Sequence, residues 1–88
     1  MLHQSHPDII KRLNRASGHL TSVIKMIEQG RACLDLAQQL HAVERAVTNA
    51  KRALIHDHID HCLGDAAEAD ADSPTAALAE FRELAKYL

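Results

Sequence analysis

Between Gly30 and Gly64 the chain contains no glycine and no proline, and its apolar residues recur at helical spacing. Leu36, Leu40, Val43, Val47, Ala50 and Leu54 follow one another at alternating steps of four and three. This pattern predicts one helix that starts at about Arg31 or Ala32 and runs for about 30 residues, or about 45 Å at 1.5 Å per residue. A rod of that length is long for a chain of 88 residues. The part its own chain leaves uncovered is apolar, so it is expected to pack against another chain.

The rest of the chain also reads as helix. Ile9, Leu13, Ala16, Leu20, Val23 and Ile27 form a second stripe of the same period, which begins near Pro7 and ends at Gly30. Proline is well placed in a first helical turn, and glycine just past a helix end. Residues 64–73 read Gly-Asp-Ala-Ala-Glu-Ala-Asp-Ala-Asp-Ser, an acidic loop whose alanines would also let the helix continue. Ser73 and Pro74 suit the N-cap and first position of a third helix, with Ala77, Phe81, Leu84 and Leu88 as its apolar stripe. Only 2% of residues are aromatic, against 47% hydrophobic, which disfavours a β-sandwich or barrel. The expected architecture is all-α: one domain over residues 1–88, three helices, the second one long. No apolar run approaches the ~18 residues of a membrane span. The first residues carry neither a basic nor an apolar segment, so no signal peptide is expected. One thin helical domain also leaves little room for a large catalytic cleft.

Seven histidines and two cysteines make metal binding the first functional question. His58 and Cys62 are four residues apart and share a helix face. Cys33 lies 25 residues before His58, close to seven full turns, so it points the same way. It is nevertheless about 37 Å distant along the helix. One straight helix cannot close that gap, but an antiparallel copy can. Cys33 of one chain would then sit beside His58 and Cys62 of the other, in a symmetric dimer with two equivalent sites. Two thiolates and an imidazole suit Cu(I) and fall one ligand short of tetrahedral Zn(II). A small buried cysteine or a solvated histidine would explain each residue alone; the phased set of three is what favours a metal. His56 and His61 fall on other faces of the helix, and His3 and His6 belong to a frayed terminus. His19 and His41 are assigned no ligand role.

Charge divides along the chain. Residues 1–52 carry eight basic and four acidic side chains, a net +4, whereas residues 53–88 carry two and eight, a net −6. Lys11, Arg12 and Arg15 cluster within little more than one turn of the first helix, and Arg45, Lys51 and Arg52 add charge on the second. An ordinary solvated face explains any one of them; together they suit an anionic polymer. There is no helix-turn-helix signal and almost no aromatic surface for base stacking. Double-stranded DNA would be read through phosphate contacts and groove shape.

Three segments carry a family resemblance. These are Arg12-Leu13-Asn14-Arg15-Ala16-Ser17-Gly18-His19-Leu20, the stretch around Cys33, and His56-Asp57-His58-Ile59-Asp60-His61-Cys62. They resemble the copper-sensing operon repressor (CsoR) family, whose relatives sense nickel or cobalt (RcnR-like), formaldehyde (FrmR-like) and persulfides (CstR-like). The likeness spans about residues 7–88. It implies a helical tetramer built as a dimer of dimers, whose apo form represses by holding operator DNA and whose ligand releases it. Cu(I)-binding members carry Cys, His and Cys where Cys33, His58 and Cys62 stand, and Glu80 falls near an outer-shell glutamate of the third helix. RcnR-like members replace the last Cys with His, so Cys62 argues against that branch. CstR-like members lack the intervening His, so His58 argues against that one, and FrmR-like members can lack the last thiol. Ala32 stands where some copper members place Tyr. A nickel-sensing branch keeps the three ligands and adds an N-terminal histidine. His3 is the candidate for that role, and Ni(II) or Co(II) is the alternative metal. The implied protein is a cytoplasmic regulator, not an enzyme, with reduced thiols where DNA also lies. A metal buffer that never binds DNA would use the same ligands. The absence of a Cys-x-x-Cys motif and of a βαβ pattern argues against a thiol oxidoreductase.

Overall fold

In a computed structural model the backbone is described for residues 6–68 and 73–88, and the side chains for 6–60, 76 and 78–88. Helix α1 spans His6–Glu28, α2 Cys33–Glu68 and α3 Ser73–Ala85, with no strand among the described residues. Pro7 and Asp8 lie in the first turn of α1, where a missing N–H costs nothing and a carboxylate faces the positive end of the helix. The far end closes on Gly30, whose φ of 77° is left-handed. Gly30 N donates to Ile27 O at 3.1 Å and Arg31 N to Met26 O at 3.1 Å. This is the paired closure that satisfies the last carbonyls of a helix and turns the chain back.

Helix α2 has 36 residues, about 54 Å of rise, and is longer than expected. The first part of the expected acidic loop, 64–68, is helix; residues 69–72 lie outside the described residues. A glycine inside a helix costs only about 1 kcal/mol. Leu63, Ala66, Ala67 and Glu68 around Gly64 are all strong helix formers. The third helix begins at Ser73, as expected, with Pro74 in its first turn.

Both α1 and α3 pack on α2. The buried core is Ile9, Ala16 and Val23 of α1, at steps of seven, together with Val43, Ala50 and Ile55 of α2. The other members of the two stripes are not core in this chain. Leu13, Leu20 and Ile27 of α1 and Leu40, Val47 and Leu54 of α2 are 40–53% exposed. The molecule measures 60 × 23 × 12 Å, and its radius of gyration is 18.0 Å. A compact domain of this length would have about 12 Å. The hairpin is one layer thick, so each helix has one side to bury within the chain and a second apolar side left over.

Candidate metal centre and basic face

Cys33 is the first residue of α2 and is exposed. His58 lies toward the other end of the helix, half-buried where α3 packs. Cys62 is one turn further along α2, and its side chain lies outside the described residues. Leu40, Val47, Leu54, His58 and Cys62 continue from Cys33 at steps of seven, seven, seven, four and four. These steps keep them on one face. The expected ligand residues therefore share a stripe with the exposed apolar residues of α2.

Glu80 of α3 meets His58 directly. His58 Nε2 donates to Glu80 Oε1 at 2.5 Å. A carboxylate on one ring nitrogen is the arrangement that orients a metal-binding histidine and raises the basicity of the other nitrogen. His58 and Glu80 also line a depression of about 240 Å³ with Leu54, Ile55, Leu84 and His6. His6 is half-buried as the first residue of α1, not part of a frayed end. Sequence reasoning missed it because a terminal histidine carries no local signal until α1 folds back beside His58. His3 lies outside the described residues. His56 and His41 are exposed. His61, like Cys62, lies outside the described side chains. Among the described residues of a single chain, no three His, Cys, Asp or Glu side chains gather in a group that could hold a metal. Cys33 and His58 stand 25 residues apart on α2, about 37 Å along the helix; two thiols and an imidazole form a soft donor set of the kind that suits Cu(I).

The opposite side of the hairpin is polar and basic. Arg12, Arg15 and His19 of α1 surround a depression with Asn49 of α2, floored by Ala16 and Ala46. Arg45 and Arg52 are four and three residues from Asn49 and fall on its side of α2. Lys51 does not, being four residues from Val47 and three from Leu54 on the apolar stripe. Lys11, like the other five basic residues, is exposed. His19 is half-buried, and its Nε2 donates to Gln39 Oε1 at 2.6 Å, joining α1 to α2.

The candidate ligand residues thus lie along one face of α2 and the arginines on the other side of the hairpin. The model of the metal-sensitive transcriptional repressor family matches residues 5–87. The chain belongs to that family. The copper-sensing transcriptional repressor CsoR of Mycobacterium ulcerans (strain Agy99) is 37% identical over 57 residues, 65% of this chain and 49% of that protein. CsoR of Bacillus subtilis (strain 168) is 38% identical over 58 residues, 66% of this chain and 57% of that protein. The copper-sensing transcriptional repressor RicR of Mycobacterium tuberculosis (strain ATCC 25618 / H37Rv) is 30% identical over 77 residues, 88% of this chain and 80% of that protein. The match spans about half the length of the mycobacterial CsoR proteins. No solved structure matches significantly. The family is one of transcriptional repressors, a class of regulators and not of enzymes. Among the described residues, no helix is long and apolar enough to cross a membrane.

Proposed function

We propose that this chain is a copper-responsive repressor that holds operator DNA when metal-free and releases it when Cu(I) binds between two subunits. Cys33 of one subunit and His58 and Cys62 of the other would hold the ion. The observation that carries this reading is the α2 stripe. Its ends bear Cys33 and His58, and between them Leu40, Val47 and Leu54 stay 40–44% exposed. A second, antiparallel α2 covers these residues and brings the two ends together. Val47 lies near the midpoint between Cys33 and the His58–Cys62 pair, so the two-fold axis crosses α2 there. Val47 then meets its own copy, and Leu40 meets Leu54. Ile10 and Ile24 remain exposed on α1 outside this stripe. They supply apolar surface for pairing two dimers into a tetramer.

Two thiolates and an imidazole give Cu(I) a soft, low-coordinate site. His58 would bind through Nδ1, with Glu80 holding Nε2. Arg12, Arg15, Arg45 and Arg52 contact DNA phosphates in the metal-free form. When Cys33 is drawn toward His58 and Cys62 across the axis, the two α2 helices tilt and carry the arginines of both helices out of register with the duplex. A coupling of about 1–3 kcal/mol weakens DNA binding about 5–150-fold.

One observation favours a second metal reading. His6 lines the same depression as His58. A fourth, nitrogen donor there would suit Ni(II) or Co(II) better than Cu(I). His6 joins His3, which lies outside the described residues, as a candidate for that N-terminal donor. A cytoplasmic buffer built on the same ligands would bind metal without any operator preference, so a DNA titration separates it from a repressor.

The decisive experiment mixes two inactive variants. Cys33→Ala and His58→Ala should each fail to retain Cu(I) against a chelator under anaerobic conditions, while both still bind operator DNA. Refolded together, they should regain one site per mixed dimer, because Cys33 of one variant meets His58 and Cys62 of the other. No recovery in a verified mixed dimer would show that the site is not shared between chains.

A further inference from the structure

Ala37, Glu44, Lys51 and His58 follow one another on α2 at steps of seven. This row borders the exposed stripe of Leu40, Val47 and Leu54, on the side away from the buried Val43 and Ala50. Glu44 and Lys51 are its two formally charged members, and both are exposed. Seven residues separate them, about 10 Å along the helix, too far for a direct ion pair. No Asp, Glu, Lys or Arg stands three or four residues from either. Among the described residues of a single chain, neither enters an ion pair.

A two-fold axis across α2 sets each residue opposite the one equally far from the axis on the other side. The point midway between Cys33 and Cys62 falls half a residue beyond Val47. The same point is midway between Glu44 and Lys51, and between Ala37 and His58. The row is therefore complementary to itself. A copy turned end for end puts Lys51 opposite Glu44 twice, and the small Ala37 opposite His58. Sliding the copy by one heptad still lays stripe on stripe, but it brings Glu44 against its own copy in one direction and Lys51 against its own copy in the other. A parallel copy brings both like-charged pairs together. The apolar stripe repeats every seven residues and does not choose among these registers; charges flanking such a seam do.

We propose that Glu44 and Lys51 form two ion pairs between two copies of this chain, and that these pairs select the antiparallel register in which Cys33 meets His58 and Cys62. The inference rests on the α2 pairing proposed above and adds what fixes its register. Both are positioning residues, since neither touches the metal. Lys51 then belongs to the subunit interface, apart from the arginines on the other side of the hairpin.

The test uses the intact metal-free protein with Glu44→Lys and Lys51→Glu, made singly and together. Self-association is measured by sedimentation at low and high salt, and Cu(I) retention against a chelator under anaerobic conditions. Each single variant surrounds its axis with four like charges. Its self-association should fall about tenfold or more at low salt with helicity unchanged, and the loss should shrink as salt rises. The double variant restores opposite charges at both contacts and should recover association and Cu(I) retention together. Mixed with each other, the two single variants should prefer the heterodimer to either homodimer by about tenfold or more, counted by native mass spectrometry. A chain with two lysines then meets a chain with two glutamates. Single variants that associate as tightly as the unsubstituted chain, or that show no preference for the mixed dimer, would overturn the ion pairs and leave the dimer standing. An unsubstituted chain that sediments as a monomer at every concentration would remove the pairing and the ion pairs with it.

Discussion

His58 and His19 are each held by a side-chain oxygen from a neighbouring helix, a carboxylate for the first and a carboxamide for the second. The difference matters because only the carboxylate brings charge to the ring it holds. Glu80→Gln preserves size and hydrogen bonding but removes that charge. Loss of such an outer partner typically lowers metal affinity about 10–100-fold. Competition with a Cu(I) chelator should show a loss in that range with helicity unchanged; equal affinity would reduce Glu80 to a surface partner of His58. Cys33, His58 and Cys62 stand out in the sequence as ligand candidates because rare side chains recur in helical phase. His6 and Asn49 were not, since neither has a sequence neighbour that marks it. His6 gains meaning only when α1 lies beside His58, and Asn49 only when α2 lies beside Arg12.

At the scale of the helices, the seven-residue repeat was legible but its division was not. Ile9, Ala16 and Val23 alternate with Leu13, Leu20 and Ile27, and either set could have faced α2. The structure buries the first set, which includes the small Ala16, and leaves the larger leucines outside. The glycines divide in the same way. Gly30 sits at positive φ with open space around its α-carbon, and Gly18 lies within α1, also with open space. Gly30→Ala should therefore destabilise the fold by about 1–2 kcal/mol through backbone strain alone. Gly18→Ala should stabilise it by about 0.5–1 kcal/mol. Urea unfolding of the two variants should move the midpoint in opposite directions. Gly64 looked like a stop because glycine so often follows the end of a helix. It lacks the following turn, and the alanines after it carry the helix onward.

The whole chain has a small core for its length. Six buried apolar residues hold together a hairpin 60 Å long, among the described residues. On the proposed pairing such a protomer draws its remaining stability from association, so its melting temperature should rise with protein concentration. Val47→Glu places two carboxylates face to face on the proposed axis. Sedimentation should show it dissociating where the unsubstituted chain does not, with Cu(I) retention lost although every ligand is intact. A Val47→Glu protein that remained dimeric and kept its copper would exclude this pairing.

The placement of both halves of the proposed site on one unbroken helix also limits how such a gene can change in length. Insertion of a single codon between Cys33 and His58 would rotate one end about 100° relative to the other and turn the thiol away from the imidazole. Seven inserted codons would restore the phase. Both chains of the dimer would lengthen together, and the axis would simply move to the new midpoint. Among descendants of this chain, α2 should grow or shrink between its ligands only by lengths that close on whole turns, such as seven, eleven or eighteen residues, so that the helix works as a ruler marked in turns and not in residues.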